Sequence, residues 1–91
     1  MTPKSGQPCV YILRCGDGSL YTGWTNDFEK RLRSHQEGKG GKYTRSRLPV
    51  EAAYVEEVPD KSAALKREME IKKMRPAQKR ALIASSSNLL R

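Results

Sequence analysis

The chain has 91 residues, 18 Lys and Arg against 10 Asp and Glu, and a formal net charge of +8. That length holds one domain with a small core, and 36% hydrophobic beside 31% charged residues leaves much of the surface to solvated side chains. The charge balance points to a polyanionic partner, with nucleic acid ahead of a membrane surface, because no basic amphipathic helix rich in Trp, Phe or Leu is in view.

Residues 1–7 are short and polar and read as a flexible N-terminus. Cys9 to Arg14 is rich in Val, Tyr, Ile and Leu, the residues a pleated surface favours. Gly16-Asp17-Gly18 suits a three-residue hairpin loop with Gly18 left-handed, and Leu20 to Trp24 returns as the second strand. Loop length decides what the tyrosines can do together. A two-residue Asp17-Gly18 turn pairs Cys15 with Leu20 and puts Tyr11 and Tyr21 on opposite faces. A three-residue loop pairs Leu13 with Tyr21, and Tyr11 and Tyr21 then share a face as diagonal neighbours.

Asn26-Asp27-Phe28-Glu29 has the form of a helix N-cap at Asn26 with a glutamate three residues on. Phe28, Arg31, Leu32 and His35 follow at i, i+3, i+4 and i+7, one stripe facing the sheet, and Gly38 ends the helix. Gly38 to Leu48 carries Lys39, Lys42, Arg45 and Arg47 around Tyr43 and reads as a mobile basic loop. Pro49 introduces a third strand over 50–58, where Val50, Ala52 and Tyr54 alternate with Glu51 and Ala53. Asp60 or Ser62 can cap a second helix, on which Ala64, Leu65, Glu68 and Ile71 share one face with Met69 at its margin. Arg75-Pro76 ends or kinks it, and Pro76 suits the first turn of a short third helix to about Ala84. Residues 85–91, opening on Ser85-Ser86-Ser87, read as a disordered tail. The domain over 8–84 is α+β, a three-stranded antiparallel sheet flanked by helices.

Cys9 and Cys15, on one strand, stand roughly 20 Å apart, too far for a bridge. They make a poor zinc site and read as thiols in a reducing compartment. Residues 1–8 lack a signal-peptide core and no stretch approaches transmembrane length, so the expected location is cytoplasmic, with no membrane partner.

Glu68 is the residue most in need of explanation. Glu70 lies on the polar side of its helix, whereas Glu68 shares a stripe with Ala64, Leu65 and Ile71. A carboxylate there needs a partner, and spacing leaves two: a divalent metal, or a cation such as Arg31. Arg31 has the planar fork for a phosphate, or a stem that packs on the sheet with its head on Glu68. His35 titrates near neutral pH and can orient or deprotonate a neighbour, or be an ordinary helical histidine. Tyr11 and Tyr21 act as bases only where a metal or cation lowers a pKa near 10; otherwise they are amphipathic core residues. Asn26 by itself is simply the helix cap.

The ordered series Val10-Tyr11, Tyr21-Thr22-Gly23, Asn26, Arg31, His35 and Glu68 resembles the GIY-YIG nuclease superfamily, and more narrowly its small stand-alone bacterial members, from about Cys9 to about Leu82. The resemblance implies a metal-dependent endonuclease that hydrolyses DNA phosphodiester bonds, with one Mg²⁺ or Mn²⁺ on Glu68. It makes Tyr11 the general base assisted by His35. Tyr21 positions water or phosphate, Arg31 neutralises the phosphate, and Gly23 and Asn26 support the site. Lys39, Lys42, Arg45 and Arg47 would grip the nucleic-acid backbone. Some relatives carry Lys just after the second glycine, where this chain has Trp24, which can stack on a splayed base or pack in the core. Single strand, flap, branch, nick and RNA all stay open as substrates, and repair or recombination is an analogy. A monomer or weak dimer is expected, with specificity left to a protein partner. The alternatives to a nuclease are a non-catalytic nucleic-acid-binding module and an adaptor.

Overall fold

The computed structural model describes residues 2–90. Strands β1 (Cys9–Arg14) and β2 (Leu20–Thr25) form an antiparallel hairpin closed by Gly16-Asp17-Gly18, with Gly18 at φ +85°. The Cys15 amide donates to the Ser19 carbonyl at 2.9 Å, and Leu13 stands opposite Tyr21 and Tyr11 opposite Gly23. This is the three-residue loop, and it puts Tyr11 and Tyr21 on one face.

Helix α1 (Phe28–Gln36) and the single turn α2 (Lys42–Arg45) precede β3 (Glu51–Glu57), which pairs antiparallel with the other side of β1. The sheet order is therefore β2-β1-β3, with the apolar β1 in the centre. A register shift between Ile12 and Leu13 leaves Ala53 as an extra residue in β3. The bulge breaks the expected alternation of Val50, Ala52 and Tyr54. Val50, Ala52 and Val55 pack on the α1 side, and Tyr54 and Val58 on the other.

Helices α3 (Lys61–Lys72) and α4 (Pro76–Ile83) complete the fold. α3 lies across β1 and β2, where Ala64 and Ile71 are fully buried against Val10, Ile12 and Tyr54. Leu65 does not join them and is exposed, as is Met69. The rotation follows from Arg67, which pairs with Glu56 of β3 at 2.9 Å while the Tyr54 hydroxyl donates to the same carboxylate. Two more details depart from the sequence reading. The cap of α1 is Asp27, whose carboxylate accepts from the Lys30 amide at 3.4 Å, so Asn26 lies one residue before it. The basic loop contains α2, whose Thr44 is fully buried.

The two ends make defined contacts where composition suggested none. Asn88 is buried: its amide nitrogen donates to the Ala53 carbonyl at 2.8 Å and its oxygen accepts from the Val55 amide at 3.2 Å. One side chain thus satisfies two backbone groups at the bulge of the edge strand, which an exposed sheet edge would otherwise leave open. At the other end the Gly6 amide donates to the Asn26 carbonyl at 2.6 Å and the Gln7 side chain to the Val58 carbonyl at 2.8 Å.

Candidate active site

On the α1 face of the sheet the Tyr11 ring lies directly over Gly23. A Cβ at position 23 would stand 2.6 Å from the Tyr11 oxygen, so the ring occupies the space a side chain would need. Phe28 and Leu32 of α1 pack into the same cluster and set the helix so that His35 is fully buried behind Tyr11. The Tyr11 hydroxyl and His35 Nε2 are 3.0 Å apart, and His35 Nδ1 lies 2.8 Å from Thr44 Oγ1. The Tyr21 ring sits 5.3 Å from that of His35 and stacks on Tyr43 at 5.8 Å. The Arg47 guanidinium lies 3.8 Å from the Tyr43 ring centre and bonds Asp17, closing the aromatic column against the hairpin tip.

Burial pushes the Tyr11 hydroxyl well above the usual tyrosine range, and Tyr21 and Glu68 push the same way while Arg31 opposes them. Burial also holds the His35 imidazole below its ordinary value, with the Arg31 charge adding to the effect. At neutral pH this is a protonated phenol beside a neutral imidazole, a pair able to pass a proton without first losing a charge. Arg31 from α1 and Glu68 from α3 therefore both act on the Tyr11 hydroxyl, although they come from opposite sides of the sheet.

Arg31 departs from the buried stripe expected of it. Its neighbours Phe28 and His35 go inward, but position 31 falls at the edge of that face and the long side chain reaches solvent. It makes no ion pair among the described residues, and it lines a groove of about 430 Å³ with Thr25, Asn26, Asp27, Lys30 and Ser34. Glu68 is half-buried and pairs with Lys72 at 3.6 Å rather than with Arg31. Lys72 is half exposed, and such an i,i+4 pair holds its carboxylate only weakly.

The remaining sequence candidates divide. Gly23 belongs under Tyr11, and Asn26 lines the groove beside Arg31. Trp24 alternates to the other face of β2, packs in the α3 cluster and carries Lys61 Nζ 5.9 Å from its ring centre, so it does not meet the Tyr11 group. Lys42 and Arg45 are exposed on α2, Lys39 lies 4.0 Å from Glu37, and Arg47 is held by Asp17 and Tyr43. Thr44, Gly40 and Tyr43 were not singled out from the sequence. The one available signal was the Gly40-Gly41 pair just after a histidine-bearing helix, which marks backbone passing close to a side chain. A second concave site of about 350 Å³, lined by Arg14, Lys79 and Arg80 with Leu20 and Pro76, shares no lining residue with the groove beside Arg31.

Residues 7–81 match the GIY-YIG catalytic domain. A UPF0213 protein of Streptococcus sanguinis is 55% identical over 74 residues, covering 81% of this chain and 85% of that protein. A UPF0213 protein of Clostridium perfringens is 54% identical over 78 residues, covering 86% of this chain and 84% of that protein. The solution NMR structure of a UPF0213 protein from Bacillus halodurans aligns with a TM-score of 0.58 at 38% identity, covering 92% of this chain and 89% of that one. A solution NMR structure of an E. faecalis protein aligns at 0.60 and 37% identity, covering 92% and 88%. The matched span contains both tyrosines, Gly23, Arg31, His35 and Glu68, and the chain belongs to the GIY-YIG family.

Proposed function

We propose that this protein is a divalent-metal-dependent endonuclease that hydrolyses DNA phosphodiester bonds at the cluster of Tyr11, His35, Arg31 and Glu68. The observation that carries the reading is the buried hydrogen bond between Tyr11 and His35, beside an arginine with no ion pair among the described residues. The Arg31 guanidinium receives the scissile phosphate and neutralises charge that develops on its oxygens. Tyr11 passes its proton to His35 Nε2 as its oxygen takes a proton from the attacking water. Tyr21, against the same imidazole, confines that water and the phosphate.

Among the described residues no three His, Cys, Asp or Glu side chains converge, so an ion here would take few protein ligands, with the Glu68 carboxylate the proposed one. That fits Mg²⁺ or Mn²⁺, which keep several waters and complete their shell with substrate phosphate, and does not fit a zinc site. When bound, the ion supplies Lewis-acid stabilisation of the phosphate and the leaving oxygen. Glu68 would hold it, with Lys72 giving way.

DNA is the proposed partner, with RNA the competitor to exclude. Lys42 and Arg45, exposed beside the aromatic column, would contact backbone phosphates without reading bases. No described helix is long and apolar enough to cross a membrane. A cytoplasmic role in repair or recombination is proposed by family analogy alone.

The test is cleavage of labelled single-stranded, duplex, flap and RNA substrates in Mg²⁺ or Mn²⁺, wild type beside Glu68→Ala, with folding and binding checked for both. The expected result is cleavage by wild type and a loss of at least about 100-fold in the variant, from the several kcal/mol a bound ion supplies. Equal cleavage by both would sink the assignment of Glu68. Tight, salt-sensitive binding without cleavage would identify a binding module, and weak DNA affinity with a stoichiometric protein complex an adaptor.

A further inference from the structure

We propose that Thr44 is a positioning residue that sets the tautomer of His35, keeping its proton on Nδ1 and leaving the Nε2 lone pair for the Tyr11 hydroxyl. The inference rests on reading Tyr11 and His35 as the proton-accepting pair. His35 is fully buried, and each ring nitrogen has one close partner: Tyr11 at 3.0 Å on Nε2 and Thr44 Oγ1 at 2.8 Å on Nδ1. Two directions of hydrogen bonding are formally open. What decides between them is the far end of the chain of bonds.

Thr44 Oγ1 lies 3.5 Å from the Gly41 carbonyl, and a carbonyl can only accept. With the threonine hydroxyl donating there, its lone pair takes the Nδ1 proton and Nε2 stands bare toward Tyr11. Every proton then has an acceptor: Tyr11 to His35, His35 to Thr44, Thr44 to Gly41. In the reverse direction Nε2 donates to Tyr11, and the phenolic proton of this buried residue has no other partner among the described residues. A buried donor left without an acceptor is costly, because its bond to water is lost and not replaced. The first arrangement is therefore the stable one, and it is also the one in which Tyr11 can give up its proton.

The surrounding backbone is built for this contact. A Cβ at Gly40 would collide with the His35 ring and stand 2.8 Å from the His35 Cα, so the chain must pass that point without a side chain. α2 then turns back, through the Arg45 amide donating to the Gly41 carbonyl at 3.0 Å, and delivers Thr44 to Nδ1 with no exposed surface. The Gly38 to Leu48 segment, read from sequence as a phosphate grip, is on its inner side the cradle of the imidazole.

His35 is the only histidine in the chain, so its ring nitrogens can be read by ¹⁵N NMR with no assignment ambiguity and no DNA present. Wild type is expected to show a protonated Nδ1 and a bare Nε2. Thr44→Val, which keeps the shape and removes the hydroxyl, should move the proton to Nε2 or average the two shifts, and Thr44→Ser should restore the wild-type pattern. In the cleavage assay Thr44→Val should lower kcat at least about tenfold with KM unchanged, since a misplaced imidazole tautomer disables a proton relay. Wild-type protein with the proton on Nε2 would overturn the proposal, and this holds even where the valine variant fails to fold. So would a Thr44→Val spectrum identical to wild type. Absence of cleavage by wild type would sink the nuclease reading alone, because the nitrogen shifts decide the tautomer without it.

Discussion

The Tyr11 hydroxyl and His35 Nε2 stand 3.0 Å apart although 24 residues separate them, and neither side chain is open to solvent. The contact depends on the hairpin register, which turns Tyr11 toward α1, and on Gly23, which leaves its ring room. Their environment raises the proton affinity of the phenol and lowers that of the imidazole, so both stay neutral together.

That neutrality makes stability depend on pH at both ends. Below about pH 6.5 the unfolded imidazole takes up a proton that buried His35 resists, so stability falls as pH drops from there toward the lower native value. At the alkaline end burial, then Glu57, pushes the Cys9 thiol up to about 11, and Tyr11 rises as well. The unfolded thiol ionises near 9 and the unfolded phenol near 10 while the native groups hold their protons, so stability declines above about pH 9. Thermal melts should show a plateau between roughly 6.5 and 9, with the acid limb just below pH 6.5 flattened in His35→Gln. An unchanged acid limb in that variant would assign it to other groups.

Gly23→Ala should be poorly tolerated. The new methyl would sit 2.6 Å from the Tyr11 oxygen and 2.8 Å from the ring carbon bearing it. The ring must move, at a cost of about 1–3 kcal/mol from overpacking, and the Tyr11–His35 distance must change with it. Denaturant unfolding and the same ¹⁵N spectrum of His35 check this, and an unperturbed imidazole with unchanged stability would contradict it.

Lys72→Met should lower the Mg²⁺ concentration needed for half-maximal cleavage by about twofold. The ammonium 3.6 Å from Glu68 would compete with the proposed ion, but as a half-exposed i,i+4 pair it contributes only a few tenths of a kcal/mol. A metal titration of the cleavage rate decides it. A rise in the Mg²⁺ requirement, or loss of cleavage, would show that Lys72 serves the substrate instead.

Thr22→Val should stabilise the fold or leave it unchanged. The Thr22 hydroxyl is buried in β2 without a hydrogen-bond partner among the described residues, and an unsatisfied buried group of this kind costs about 1 kcal/mol or more. Denaturant melts provide the measurement. Clear destabilisation would mean that the hydroxyl is satisfied by ordered water.

The readable parts of this chain were those set by local rules. Glycines at 16 and 18 around Asp17 suited a three-residue loop beside the two-residue alternative, and the three-residue loop found here places Tyr11 and Tyr21 on one face. Helical spacing correctly linked Phe28, Leu32 and His35. What it missed was set by partners distant in sequence. Leu65 faces outward because Arg67 answers Glu56 on β3, 11 residues away. The bulge at Ala53 left no mark, since alanine suits either face, and it is matched by Asn88, 35 residues later. Thr44 was hidden among cations that suggested a solvated loop, yet it completes the bonding of His35. Glu68 stood out as a carboxylate on an apolar stripe, and its i,i+4 spacing to Lys72 was a local signal for the ion-pair partner that the reading toward Arg31 passed over.

The central claim is that the Tyr11 oxygen, relayed through His35, accepts the proton of the attacking water. Single-turnover cleavage of labelled flap and single-stranded DNA in Mg²⁺, wild type against Tyr11→Phe, tests it most directly, because phenylalanine keeps the ring over Gly23 and removes only the hydroxyl. The rate should fall by about 100-fold or more with DNA affinity unchanged. Cleavage by Tyr11→Phe at the wild-type rate would contradict it.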